Sequence, residues 1–248
     1  MGELNCLNVG CADTSVIISE SAYFLIDCYN IQDHTAYLPI NKKIRGVFIT
    51  HQHYDHFLGL KYLKDNDYSI EFLIYSPYVR RYNDSSVKYE EWQEFNSYVD
   101  YFKRKGTEMF TPYRQDSVED TWWKTNGIEF RILGPVKHIA TSSTREIHAQ
   151  LGNRVCLFTG DSSDTSLSWI ATNTTNYCND ILHASHHGSL NGADLEFIRG
   201  ANAKYTIIST ASGFHDSVPH PIALQRYRNH TQHNVYRTDI NGTLTLNF

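Results

Sequence analysis

The sequence predicts a layered α/β fold, on three observations. Short apolar strand candidates run through both halves of the chain, with helix-like spacing between and after them. Several of these strands end abruptly in histidine or aspartate, as expected when a site is built on strand ends. The chain has 248 residues, 41% of them hydrophobic, and a mean hydropathy of −0.45. That size and composition suit one globular domain, 1–248, whose core needs no disulfide or metal staple.

Leu4–Val9, Ser15–Ser19 and Tyr23–Asp27 are the first strand candidates. Ile44–Thr50 is an apolar run that stops in polar residues and reads as a buried strand. Leu58–Leu63 then repeats apolar residues at helical spacing. From Asn83 to Lys105, Trp92, Phe95, Val99 and Phe102 recur at three, four and three, one face of a helix. We expect this aromatic-rich stretch, about 76–124, to be a helical insertion that either packs on the core or covers the site as a lid. Ile128–Leu133, Ile147–Leu151, Val155–Thr159, Ile181–Ala184 and Tyr205–Ser209 are further strands, with a tight turn at Gly152-Asn153. Helices are expected at Leu190–Arg199 and Ile222–Asn229, the second opened by Pro219-His220-Pro221. Asn241-Gly242 between Val235–Arg237 and Thr243–Leu246 predicts a hairpin.

Composition narrows the function. Lys and Arg total 22 against 27 Asp and Glu, a formal net charge of −5. An acidic chain attracts polyanions poorly unless a local basic patch or a metal centre offsets it. No apolar run approaches the ~18–20 residues that span a bilayer, so no membrane association is expected. Met1–Gly10 does not read as a signal peptide. The five cysteines are odd in number and contain no C-x-x-C pair, which points to reduced thiols and a cytoplasmic setting.

The densest chemistry is His51-Gln52-His53-Tyr54-Asp55-His56, directly after a buried strand. Imidazoles and carboxylates packed this closely pay desolvation for nothing unless a divalent cation compensates them. Two more segments follow the same pattern. Thr159-Gly160-Asp161 ends the strand Val155–Phe158, where Asp161 either caps a helix or offers two oxygens to two ions. His183-Ala184-Ser185-His186-His187-Gly188-Ser189 ends another strand. Adjacent side chains diverge, so one of the pair is expected to ligate, His186 in preference, with His187 nearer the substrate.

Together these three segments resemble the metallo-β-lactamase superfamily, and more narrowly the hydrolase domain of the DNA-uptake protein ComEC and its stand-alone relatives. The narrower resemblance adds Asn8-Val9-Gly10-Cys11-Ala12-Asp13, Leu25-Ile26-Asp27, Pro219-His220-Pro221 and Val235-Tyr236-Arg237-Thr238-Asp239 with Gly242. It covers both ends of the chain and leaves about Ser76 to Lys124 without a motif. The resemblance implies a four-layer αββα sandwich with two divalent metals at the strand ends, zinc first and manganese or iron next. It places His51 and His53 on the first metal, Asp55, His56 and His186 on the second, and Asp161 between them. The third histidine of the first metal is taken as His148, at a strand start, with His138 as rival.

The implied activity is that of a phosphodiesterase or nuclease, in which two metals ~3.5–4 Å apart activate a bridging hydroxide. Asp55 would orient the nucleophile, and His187 or His220 would protonate the leaving oxygen or grip a phosphate. Lys42-Lys43-Arg45, Arg80-Arg81 and Lys103-Arg104-Lys105 would supply positive charge if the substrate were nucleic acid. The same ligands would equally serve hydrolysis of a lactone, thioester or β-lactam, and a metal-stabilised binding module is a third reading. The sequence leaves protein partners and oligomeric state open.

Overall fold

The computed structural model describes residues 2–81, 83–114, 123–125, 127–134, 144–213 and 218–248. In chain order the strands and helices are β1 (Gly2–Cys6), β2 (Thr14–Ser19), β3 (Ala22–Cys28), β4 (Lys43–Ile49), α1 (Tyr54–Phe57), α2 (Gly59–Asp65), β5 (Ser69–Tyr75), α3 (Tyr89–Arg104), β6 (Glu108–Phe110), β7 (Trp123–Thr125) and β8 (Ile128–Ile132). They continue with β9 (Ile147–Leu151), β10 (Arg154–Phe158), α4 (Asp164–Asn173), β11 (Ile181–His183), α5 (Leu195–Ala201), β12 (Tyr205–Ile208), α6 (Pro221–His230), β13 (Asn234–Arg237), α7 (Thr238–Asn241) and β14 (Leu244–Asn247).

Among the described residues the strands form two sheets of seven, ordered β14-β1-β2-β3-β4-β5-β6 and β13-β12-β11-β10-β9-β8-β7. Alternation along each strand sends one set of side chains between the sheets. Phe24, Phe48, Phe72 and Phe130 meet there with Ile26, Ile147, Ala149 and Phe158. The opposite set meets helices. Leu25, Val47 and Leu73 pack under α1, α2 and α3 through Phe57, Leu60 and Phe95, and Leu157 and Leu182 pack under α4 and α5 through Leu167 and Phe197. The result is the αββα sandwich expected from the motifs.

Most strand expectations hold to within two or three residues, and the Gly152-Asn153 turn joins β9 to β10 in register. Two expectations need correction. The Asn241-Gly242 segment is no hairpin: β13 pairs with β12 in one sheet and β14 with β1 in the other. Gly242, at φ 72, instead ends the single turn α7 that carries the chain across the sandwich. The aromatic helix is shorter than its periodicity, starting at Tyr89, where the Lys88 N–H is capped by Glu91. It buries Phe95, Tyr98, Val99 and Phe102 against the first sheet's helix layer, so its apolar face is committed to the core.

Candidate metal centre

The loops after β4, β10 and β11 leave the same edge of the two sheets and bring their polar residues together. Two glycines permit the approach. Gly59 sets α2 so close to β3 that a Cβ there would stand 1.6 Å from the Cys28 carbonyl oxygen. This seats α1, and with it Asp55 and His56, on the sheet edge. Gly160, at φ 48, has Thr50 and Thr144 within 2.9 Å of its would-be Cβ and turns Asp161 toward the first sheet.

Asp161 sits at the middle. Its Oδ1 lies 3.3 Å from His56 Nε2 and 3.6 Å from His187 Nε2, and its Oδ2 lies 3.6 Å from His51 Nε2 and 3.7 Å from His186 Nε2. Asp55 Oδ2 is 3.4 Å from His187 Nε2 and 3.8 Å from His56 Nε2. Two donor groups share this carboxylate: Asp55, His56, Asp161 and His187, and His51, His53 and Asp161, each with its ligand atoms within 4.8 Å of one another.

The tautomers imposed by the surroundings fit cation binding. His56 Nδ1 donates to Asp27 Oδ2 at 2.7 Å, His187 Nδ1 to the Ser209 carbonyl at 3.0 Å, and His51 Nδ1 faces the Thr50 hydroxyl at 3.2 Å. That hydroxyl itself donates to Asp27 Oδ2. In each ring the outer nitrogen is engaged and Nε2 turns inward. His53 is reversed: its Nε2 donates to the Ser86 carbonyl at 2.6 Å, leaving Nδ1 at 2.9 Å from His51 Nε2. An imidazole whose far N–H is held by a carboxylate or carbonyl is arranged as a metal ligand. His56 Nε2, His187 Nε2 and Asp161 Oδ1 are buried without a hydrogen-bond partner among the described residues. Orphaned buried polar atoms that converge are costly unless a cation joins them.

The electrostatics agree. Burial pushes the Asp161 carboxyl up, yet His56, His187 and His51 together outweigh it and hold it well below the usual carboxylate range. Burial pulls the His187 imidazole down, but Asp161 and Asp13 carry it to about 9. His56 likewise rises above its ordinary value despite burial, on Asp27, Asp161 and Asp55. His51, with burial and the neighbouring His56 both against protonation, falls to about 4. Protons compete here for positions that suit a divalent ion.

Two expected ligands sit differently from the expectation. His187, 5% exposed, joins the four-donor group, whereas His186 is 41% exposed and stands at the cavity. His148 is not at the centre. Ile147 and Ala149 point between the sheets, so alternation turns His148 to the opposite face, beside Leu157 and Arg131. There burial, with Arg131, lowers its imidazole to about 4. The rival His138 lies outside the described residues. His220 caps α6, its Nδ1 accepting from the Ile222 N–H, so Nε2 carries the proton on the wall of a cavity of about 500 Å³. Ser189, Leu190 and Asn191 also line this cavity, with Asp55, Asp161 and His186 at its floor.

Several functional partners escaped the sequence reading. Asp13, Asp27, Thr50, Ser86 and Ser209 all touch or face the histidines from behind. Asp13 and Asp27 stood in segments that carry the narrower resemblance, with no role assigned to them, and the two carbonyls leave no mark in a sequence. The basic clusters do not gather at the cavity. Lys43 and Arg45 line a separate surface pocket with Asn41 and Glu71, and Arg80 is held by the Val87 carbonyl and the Tyr89 ring.

Residues 12–209 match the model of the metallo-β-lactamase superfamily, and the chain belongs to that superfamily. No curated protein matches the sequence significantly. Among solved structures, the metallo-β-lactamase fold protein YhfI from Bacillus subtilis aligns with a TM-score of 0.63, covering 99% of this chain and 100% of its own at 13% identity. A diphosphatase from the PhnP family aligns at 0.60 over 100% of this chain and 98% of its own, at 15% identity. The diiron β-hydroxylase CmlA from Streptomyces venezuelae aligns at 0.66 over 100% of this chain, which spans 54% of CmlA, at 14% identity. At these identities the likeness is one of fold. No helix among the described residues is long and apolar enough to cross a membrane.

Proposed function

We propose that the protein is a metal-dependent phosphodiesterase acting on a small, nucleotide-sized phosphodiester, with two divalent cations held by the two donor groups. The observation that carries this reading is Asp161, whose two oxygens each face a separate set of inward-turned imidazoles at the floor of an open cavity. Zinc suits the nitrogen-rich set, and manganese or iron the same donors. A cation pair supplies Lewis acidity and activates water near neutral pH.

The chain's own residues then bind and orient the substrate. Asp55 holds a position at the cavity floor from which it can direct the attacking oxygen. His220 Nε2–H and the Ser189 hydroxyl, which has no partner among the described residues, can donate to phosphoryl oxygens. His220 is also placed to protonate the leaving oxygen. His187 is assigned to the second cation and not to proton transfer, because its Nδ1 is tied to Ser209 and its Nε2 faces Asp161. A cavity of about 500 Å³, with Lys43 and Arg45 lining another pocket, favours a small diester over a long nucleic acid. The PhnP-family diphosphatase, similar in fold, points to phosphorus as well.

The second reading is hydrolysis of a lactone, thioester or β-lactam, favoured by the apolar Leu190 and Val218 on the cavity wall. A paired assay of the zinc- and manganese-loaded protein decides. Turnover of bis-p-nitrophenyl phosphate is expected, and hydrolysis of nitrocefin or a lactone with no phosphodiester turnover would reverse the order.

A further inference from the structure

The two donor groups are unequal. Among the described residues the second has four donors, Asp55, His56, Asp161 and His187, and the first has three, His51, His53 and Asp161. The strand histidine expected to complete the first, His148, faces the other side of its sheet.

His186 and His187 are consecutive and both left-handed, at φ 50 and φ 53, with Gly188 following at φ 81. Histidine adopts that region at a cost, and such strain concentrates where a site needs it. Here it splays two neighbouring rings across one carboxylate. His187 Nε2 is 3.6 Å from Asp161 Oδ1, the oxygen facing His56, and His186 Nε2 is 3.7 Å from Oδ2, the oxygen facing His51. His187 thus stands in the four-donor group, and His186 faces the Asp161 oxygen turned toward His51. Unlike the other four imidazoles, His186 has no outer nitrogen engaged: its Nδ1 is buried without a partner among the described residues. The ring borders the cavity, as His53 does, and faces Oδ2 of Asp161.

We propose that His186 supplies the third imidazole of the first cation, so that one His-His dipeptide serves both halves of the centre in place of a strand histidine. This rests on the two-cation reading above.

The test is cation stoichiometry and affinity in the full chain. His186→Asn removes the imidazole and keeps a residue tolerant of left-handed backbone, and His186→Gln is a second variant should the first misfold. Each is loaded with Co(II) and with zinc, gel-filtered, assayed by elemental analysis and titrated against a chelator. The expected result is one cation held as in the parent and the other weakened at least tenfold, with loss of part of the Co(II) visible spectrum. His148→Gln and His138→Gln are expected to keep two. Two cations of parental affinity in both His186 variants, or loss of one in His138→Gln, would overturn the assignment. If the unsubstituted protein saturates at one equivalent, the two-cation reading itself fails, and the assignment with it.

Discussion

Asp27→Asn probes the support behind the centre without replacing a proposed ligand. Asp27 Oδ2 accepts from His56 Nδ1 and from the Thr50 hydroxyl at 2.7 Å each, and Oδ1 accepts from the Thr50 N–H at 2.8 Å. An amide keeps the Thr50 N–H bond through its oxygen and turns an NH₂ toward His56. Two donors then face each other unless His56 moves its proton to Nε2, the atom that should face a cation. The bond lost is charge-assisted, worth about 1.5–3 kcal/mol. That matches the 10–100-fold loss of affinity typical when a ligand's supporting partner is removed, about 1.4–2.7 kcal/mol. The loss falls on the cation shared by Asp55, His56 and His187. At saturating metal it should remove about 3–10 °C of the stabilisation that metal confers. The metal-free protein should change less, because burial already pushes the Asp27 carboxyl upward and a neutral amide escapes that penalty. Chelator titrations and paired melts with and without zinc measure both effects. Equal zinc affinity in the variant and the parent would refute the idea that Asp27 sets the His56 tautomer.

Three further outcomes are expected. Asp161→Ala should weaken both cations at once and abolish activity while circular dichroism stays native, since Asp161 faces both donor groups; loss of one equivalent alone would contradict its shared role. Gly59→Ala should destabilise by about 1–3 kcal/mol and also lower metal retention, because the added methyl would drive α2 off the Cys28 carbonyl and shift the preceding turn α1 that carries His56; a parental melting temperature would show that the helix can yield. Glu146 is buried, accepts from the Ser162 hydroxyl, and is raised by that burial from 4.5 to about 7. A carboxyl raised on folding contributes stability below its unfolded pKa that is lost as pH climbs through 7, on the order of 3 kcal/mol in all. Melts from pH 4.5 to 8 should therefore fall more steeply in the parent than in Glu146→Gln, and parallel slopes would refute the assignment.

Much of the fold was legible because strands with one buried face alternate visibly. Ile147–Leu151 was read with its true bounds, and the strand ends at Ile49, Phe158 and His183 were legible to within one residue as apolar runs stopping in polar residues. Ser69–Tyr75 was overlooked although Ile70, Phe72 and Ile74 alternate plainly, which is a missed signal and not a hidden one. The hairpin error at Asn241-Gly242 was of another kind. Turn chemistry reports a local reversal or helix end, and nothing local tells two strands whether they return to one sheet or to two.

By itself, the sequence determined the layered architecture through its apolar periodicities, and it marked histidines and aspartates at strand ends as candidates for cation binding, because such groups are costly to bury unpaired. Only the tertiary structure decided which ring faces which oxygen. The parity of its strand turns His148 to the other face, a left-handed turn points His187 at Asp161, and Asp27, Ser86 and Ser209 meet the histidines through contacts spanning 22 to 33 positions of chain. Orientation of that kind depends on how two sheets and their loops meet, and residue type and spacing do not encode it locally.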